Sequence, residues 1–205
     1  MSAEGPFEVA IAGGALVGAA LARALRGAPV ALISQERRTP TPPGALDFDS
    51  RVYAISPGNA AFLAQLGAWS EIAQARRTPV HAMRVYGDDG ESLIEFDAYR
   101  TGCSELAWIV EDRLLQDALW CGLESQDGLK VFTAASLDAL EIGAAHARLG
   151  LKDGRSLNAQ LVVGADGARS LVRTQAGIAV EERAYGQRAV VANFACGRPH
   201  RNVAF

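Results

Sequence analysis

The stretch of the chain that most constrains its fold is residues 9–18, with the sequence VAIAGGALVG. It begins as an apolar run that suits a buried strand, turns through glycines, and enters an alanine-rich segment at residues 19–25 that suits a helix. Such a turn points free backbone N–H groups and the positive end of the helix dipole at an anion. The pattern G-x-G-x-x-G marks dinucleotide-binding turns, and this chain has Gly13, Ala15 and Gly18 at its three positions. Alone, the turn leaves open whether a nucleotide binds.

A second buried strand is predicted at residues 30–33. Strand, helix and strand within about 25 residues form the first βαβ unit of a dinucleotide fold. An acidic residue at the end of the second strand commonly binds ribose hydroxyls. The sequence there is Ser34-Gln35-Glu36, so Glu36 is the candidate, although Ser34 stands at the natural strand end. A solvated loop carboxylate is an equally good interpretation of Glu36.

The remaining pattern predicts a β-meander, a second sheet and the helices between them. Ser56 and Pro57 are typical of a helix start, as N-cap and first helical residue. A Gly-Asp-Asp-Gly turn at residues 87–90 predicts a β-hairpin of the second, antiparallel sheet. We also expect a short helix at 70–75, a strand at 106–110, an amphipathic helix at 111–125, a parallel strand at 129–132, a meander at 137–142, 145–151 and 156–163, and a last strand of the second sheet at 185–194.

These elements predict an α/β fold in two parts. One part is a Rossmann-like domain with a β-meander, and the other is a portion of an inserted antiparallel β-sheet domain. The boundaries we expect are 1–79 for the first part of the nucleotide domain, 80–108 for the β-insertion, 109–177 for the second part with the meander, and 178–205 for the start of the inserted sheet's continuation.

Composition and charge exclude several function classes. The 205 residues carry a net charge of −3, so no basic footprint argues for a nucleic-acid partner. Three scattered cysteines are typical of free thiols in a reducing cytoplasm, and the isolated histidines lack metal-ligand spacing. The apolar segment at 9–25 is short for a bilayer span and lacks the basic flank of a signal peptide.

A second glycine turn follows the meander, in the sequence GADGARSLVR at residues 164–173. Another buried strand ends there and another helix begins, with Asp166 and Gly167 at the turn. A carboxylate at this position can accept hydrogen bonds from ribose hydroxyls or fix the conformation of the loop. Two nucleotide-type turns in one chain are far more specific than either turn alone.

The chain resembles the N-terminal portion of the class A flavin-dependent aromatic hydroxylases, and within them the ubiquinone-biosynthesis hydroxylase branch. The resemblance covers essentially the whole chain. It is carried by the first turn and its helix at 11–18, the R-V-Y-A-I-S to L-G-A-W segment at 51–69, the I-V-E-D-R-L-L segment at 109–115, the Asp-Gly segment at 163–173, and the Y-G-Q-R-A-V-V segment at 185–191.

The resemblance implies an FAD-binding domain of the glutathione-reductase type and a set of cofactor-binding residues. The residues implied are Gly13, Gly14, Ala15, Val17 and Gly18 around the pyrophosphate, Glu36 at the adenosine ribose, Arg51 and Arg113 on the flavin side, and Asp166 and Gly167 for FAD and the passing NAD(P)H. Apart from the resemblance, a surface salt bridge is the better interpretation of both arginines.

The reaction implied is hydroxylation of an aromatic ring, with NAD(P)H as reductant and O2 as oxygen source. The implied substrate is a phenolic precursor of ubiquinone with a polyprenyl tail. The implied location is the cytoplasm, with peripheral association at the inner membrane or with a ubiquinone-biosynthesis complex.

Two other functions stay open at this point. One is a nicotinamide-dependent dehydrogenase, against which the long meander argues, because a plain Rossmann sheet continues with βα units. The other is a non-catalytic flavoprotein-like binding or assembly subunit. An open reading frame that continues into a Gly-Asp-Ala-His-like segment would support the enzyme, and a stop codon after Phe205 the subunit.

We expect these 205 residues alone to retain FAD weakly or not at all, and to lack hydroxylase activity. Ala15 replaces the middle glycine of the first turn, Ser34 stands where the ribose acid is expected, and the family's Gly-Asp-Ala-His-like motif is absent from the sequence. Absorbance spectra of the purified chain with and without added FAD check this. A yellow protein that oxidises NADPH at a normal rate would contradict it.

Overall fold

The computed structural model describes residues 3–38, 41 and 47–205. The strands in chain order are β1 (Glu4–Ala12), β2 (Val30–Ile33), β3 (Val52–Ile55), β4 (Thr78–Val80), β5 (Ala82–Tyr86), β6 (Leu93–Asp97), β7 (Ala107–Glu111), β8 (Leu129–Phe132), β9 (Leu137–Ile142), β10 (Ala147–Leu151), β11 (Ser156–Gly164) and β12 (Val203–Ala204). The helices are α1 (Leu16–Ala24), α2 (Pro57–Gln65), α3 (Asp112–Trp120) and α4 (Leu171–Gln175).

The chain divides into two compact units, which we describe separately. The first unit comprises Met1–Pro40 and Leu119–Gln187, and the second comprises Thr41–Ala118 and Arg188–Phe205. The domain boundaries expected at residues 79, 108 and 177 stay a prediction.

The first unit is built on a six-stranded sheet in the order β8-β2-β1-β11-β10-β9. β8, β2, β1 and β11 run parallel, whereas β10 and β9 complete the sheet as an antiparallel meander. This arrangement confirms the predicted α/β fold of a Rossmann-like domain with a β-meander.

Apolar residues of β2 and of the end of β1 form the centre of the parallel part of this sheet. All four residues of β2 are buried, as are Ala10, Ile11 and Ala12 of β1, which is the pattern of parallel strands covered on both faces. Leu149 on β10 is fully buried, and Phe7 meets Phe132 edge to face with ring centroids 6.2 Å apart. Strand β10 of the meander alternates buried and more exposed side chains, because one of its faces packs on the core.

The second unit contains two three-stranded sheets, in the orders β3-β7-β4 and β12-β5-β6. The predicted hairpin is present as the antiparallel pair β5 and β6. The predicted start of α2 is also present: Pro57 is its first residue and Ser56 Oγ accepts a hydrogen bond from the Asn59 N–H at 3.3 Å. The hairpin sheet is mixed and not purely antiparallel, because β12 pairs parallel with β5.

Three predicted elements differ from the structure. Residues 185–194 form no strand, because they have no ladder partner among the described residues, and their large side chains are exposed. The helix expected to reach residue 125 ends at Trp120, since Gly122 has a left-handed φ of +69° that an α-helix cannot accommodate. The short helix expected at 70–75 is two 3₁₀ turns, Trp69–Glu71 and Gln74–Arg76.

We expect L149A to lower the free energy of unfolding by about 2–5 kcal/mol, the range for a large-to-small change at a fully buried core position. Urea unfolding followed by circular dichroism measures the change. The control is I142A on the adjacent strand, where the side chain is 65% exposed and little burial is lost. Equal effects of the two substitutions would contradict this placement of the core.

Candidate functional site

The carboxyl ends of the four parallel strands lie in register at one edge of the sheet of the first unit. Ala12 at the end of β1 pairs with Ile33 of β2 and with Gly164 of β11, and Ile33 pairs with Phe132 of β8. The first glycine turn, the end of β2 and the Asp-Gly turn therefore leave the sheet at the same edge. This edge is where open α/β sheets bind their ligands.

At two glycines of the first turn, a side chain would overlap backbone atoms. Gly13 has φ +112°, and a Cβ there would lie 2.2 Å from the Ala165 carbonyl oxygen. A Cβ on Gly18 would lie 1.8 Å from the Gly13 carbonyl oxygen. The Gly13 N–H donates to Ile33 O at 2.9 Å, and the Ala165 N–H donates to Ala12 O at 2.7 Å. Backbone hydrogen bonds thus attach each glycine turn to the end of a neighbouring strand.

The N-terminus of α1 carries no side-chain cap. Ala15 is the N-cap residue, and the first turn contains no acidic residue. Ala15 has the ordinary values φ −75° and ψ −171°, so its methyl group causes no backbone strain. Val17, in the first turn, is 73% exposed. The N–H groups of this turn are the kind that an anion satisfies at a helix start.

The end of β2 places Ser34, and not Glu36, against the glycine turn. Ser34 is buried, and a Cβ on Gly14 would lie 2.5 Å from its Oγ. The Ser34 hydroxyl donates to Glu36 O at 2.9 Å, and the Glu36 side chain is exposed beyond the strand. The ribose-binding role of Glu36 stays a prediction.

The carboxylate of Asp166 caps helix α4. Its Oδ1 accepts from Ser170 Oγ at 2.5 Å, and its Oδ2 accepts from the N–H groups of Leu171 and Val172 at 2.7 and 3.3 Å. Burial by itself raises the pKa of Asp166, but these hydrogen bonds outweigh it and hold the pKa below the ordinary value. Gly167 follows with φ +86° and open space beside it. The Asp166 side chain thus fixes the loop, which is one of the two roles that the sequence allows.

Arg51 and Arg113 lie in the second unit, where one carboxylate connects their backbones. Asp49 Oδ1 accepts from the Arg51 N–H at 3.0 Å, and Asp49 Oδ2 accepts from the Arg113 N–H at 3.3 Å. The side chain of Arg51 lies over the Tyr53 ring at 5.7 Å. The two predicted arginines are therefore neighbours at the start of α3.

A buried carboxylate, Glu111, organises the side chains at this position. Glu111 Oε1 accepts from Arg76 Nε at 2.8 Å, and its Oε2 accepts from the Asp49 N–H at 2.7 Å. Arg113 Nη2 lies 3.3 Å from Glu111 Oε2. Even so, Nε and Nη2 of Arg113 are buried and have no hydrogen-bond partner among the described residues. Buried donors of this kind call for an acceptor.

The structure brings together part of the predicted site and adds residues to it. In the first unit it collects Gly13, Gly14, Ala15, Val17, Gly18 and the loop of Asp166 and Gly167 at one sheet edge. Sequence reasoning missed Glu111 and Asp49, which hold the arginines, and Trp120, whose Nε1 donates to Gly14 O at 2.9 Å. The acid of the I-V-E-D-R segment was a usable signal for Glu111, whereas nothing local indicates the role of Trp120.

The comparisons with known proteins agree with this geometry. The FAD binding domain family matches residues 6–200. The chain is 35% identical over 192 residues to the 3-demethoxyubiquinol 3-hydroxylase of Escherichia coli, covering 93% of this chain and 49% of that protein. It is 34% identical over 209 residues to a mitochondrial ubiquinone biosynthesis monooxygenase of Xenopus tropicalis, covering 94% of this chain and 45% of that protein. The chain thus spans about half the length of the curated relatives it matches.

Solved structures show the same fold. PqsL of P. aeruginosa has a TM-score of 0.70 at 23% identity, over 88% of this chain and 48% of that one. The flavin-dependent monooxygenase PieE, solved in complex with FAD and substrate, has a TM-score of 0.68 at 21% identity, over 88% of this chain and 33% of that one. Within the described residues, the chain has no helix with the length and apolar character needed to cross a bilayer.

We expect D166N to destabilise the fold near neutral pH and to lose this effect in acid. Since hydrogen bonds lower the Asp166 pKa on folding, the ionised carboxylate stabilises the fold above the ordinary value of 3.8, and that contribution is lost as pH falls through the lowered pKa. Urea midpoints of D166N and the wild type should therefore converge as the pH is lowered below that value. D88N, at an exposed hairpin turn, is the control. A difference in urea midpoint between D166N and the wild type that does not change with pH would contradict this role of the Asp166 carboxylate.

Proposed function

Because this chain belongs to the FAD binding domain family, we propose that it forms the FAD-binding part of a monooxygenase that hydroxylates an aromatic ring in ubiquinone biosynthesis. The reaction class is supported by the relatives, since the matched proteins of Escherichia coli and Xenopus tropicalis are a 3-demethoxyubiquinol 3-hydroxylase and a ubiquinone biosynthesis monooxygenase.

The observation that carries this proposal is the first glycine turn. A dinucleotide pyrophosphate requires close backbone approach and free N–H groups, and negative charge nearby would repel it. Gly13 and Gly18 leave no space for side chains, and α1 begins without a cap or an acidic residue. The residues present therefore fit the diphosphate of FAD. In this proposal Gly13, Gly14, Ala15, Val17 and Gly18 surround the pyrophosphate.

The other predicted residues take supporting roles in the proposal. Asp166 holds the loop that packs on Gly13, through its three hydrogen bonds to Ser170 and α4. Arg113 brings a buried Nε–H without a hydrogen-bond partner among the described residues and a buried Nη2 that is ion-paired with Glu111 but makes no hydrogen bond, and acceptors of a cofactor would satisfy them. Glu111 keeps the Arg113 guanidinium in one orientation and neutralises part of its charge.

When bound, FAD supplies the redox chemistry, with NAD(P)H as the source of electrons and O2 as the source of the oxygen atom. The protein's part is to bind, to orient and to exclude water. The proposed substrate is a phenolic ubiquinone precursor with a polyprenyl tail. A tail of that kind resides in a bilayer, so we propose that the protein works as a peripheral protein at the inner-membrane surface.

We expect V17D to weaken FAD binding on the order of tenfold, because it places a carboxylate beside the proposed pyrophosphate site. An acid in the first turn also stabilises a helix, so V17D should unfold at the same or a higher urea concentration. FAD titrations followed by flavin fluorescence measure the affinity.

V17N is the matched control, since it is polar and similar in size to V17D but uncharged. It should bind FAD more tightly than V17D, because the two variants differ in charge. Equal affinity of V17D and V17N for FAD would contradict a diphosphate at this turn, and a full-length wild-type protein that takes up no FAD at millimolar concentration would overturn the proposed function.

A further inference from the structure

Trp120, the last residue of α3, contacts the first glycine turn directly. Its Nε1–H donates to the Gly14 carbonyl at 2.9 Å, and the residue is only 9% exposed. A Cβ on Gly14 would lie 2.9 Å from Trp120 Cζ2 and 2.5 Å from Ser34 Oγ. Gly14 is thus a glycine because the indole and the serine close over it, although the dinucleotide pattern allows any residue there.

Two further side chains connect residues 119–126 to α1 by hydrogen bonds. Arg23 Nη1 donates to Leu119 O at 3.1 Å and to Cys121 O at 2.8 Å. Gln126 Nε2 donates to Ala22 O at 2.7 Å. These hydrogen bonds hold the residues on both sides of Trp120 against α1, beside the turn that the indole contacts.

The bond to Gly14 O determines the orientation of one peptide plane. In a trans peptide the C=O and the following N–H point in opposite directions. With the Gly14 carbonyl held by Trp120, the Ala15 N–H points away from the indole. Ala15 is the N-cap of α1, so its N–H is among the donors that have no partner within the helix.

We propose that Trp120 is a positioning residue for diphosphate binding: it holds the Gly14–Ala15 peptide so that the Ala15 N–H is presented to the ligand. This inference rests on the proposed FAD binding. It also accounts for the alanine in place of the pattern's middle glycine. The backbone at residue 15 has an ordinary φ, and the Trp120 bond fixes the peptide orientation that a glycine would leave free.

The test compares W120F with the wild type and with W69F, which alters a tryptophan of the second unit. Phenylalanine keeps an aromatic ring and removes the N–H donor. Affinities for FAD, ADP and adenosine are measured by calorimetry. We expect W120F to lower the affinities for FAD and ADP roughly three- to tenfold, which is the effect of losing one net hydrogen bond, and to leave the affinity for adenosine unchanged. W69F should bind all three ligands like the wild type.

A second readout follows the peptide itself. In ¹⁵N NMR spectra, ADP should shift the Ala15 amide resonance of the wild type and shift it less in W120F. Three results would overturn the inference. They are FAD and ADP affinities that are unchanged in W120F, an affinity for adenosine that falls as much as those for FAD and ADP, and an Ala15 chemical-shift change that is the same in both proteins. Failure of the proposed function is distinguishable, because the wild type itself would then bind neither FAD nor ADP.

Discussion

The structure of the first unit depends on the close approach of two backbone turns. Gly13 lies so near Ala165 that a side chain on it would overlap the carbonyl, and Gly18 lies equally close to Gly13. Hydrogen bonds to Ala12 and Ile33 keep both turns at the ends of their strands. These backbone contacts set the path of both turns, and the hydrogen bond from Trp120 to the Gly14 carbonyl adds a side-chain contact that holds the peptide after Gly14.

The elements that could be predicted are those with a strong local signal. The parallel strands β2 and β8 and the three meander strands are short apolar or alternating runs bounded by turn residues, and the sequence predicts all of them. The segment at 185–194 has the same local pattern, but a strand forms only where a partner supplies a ladder, and its sequence contains no information on the partner. The end of α3 depends on Gly122, a single residue inside an otherwise helical pattern.

The candidate site divides in a similar way. The glycines and Asp166 could be predicted because a strand that ends in a glycine turn and opens a helix is a local pattern, complete within about ten residues. Ser34, Trp120 and Glu111 were missed or undervalued, because their contacts are made with residues distant in sequence, such as Gly14 with Trp120. Glu111 is also a case where burial reverses the usual expectation, since a charged residue that is 4% exposed needs partners, and Arg76 and Asp49 provide them.

The pairing of β1 with both β2 and β11 sets an order for folding during synthesis. β2 follows β1 closely in the chain, whereas β11 is made only after the meander, so the second edge of β1 stays open while the ribosome adds all the residues between them. Pairings between such distant segments form slowly, and an open apolar edge strand is prone to association with other chains. The second edge of β1 is therefore accessible to other chains until β11 has been made, and the nucleotide turn cannot take its final shape before that moment.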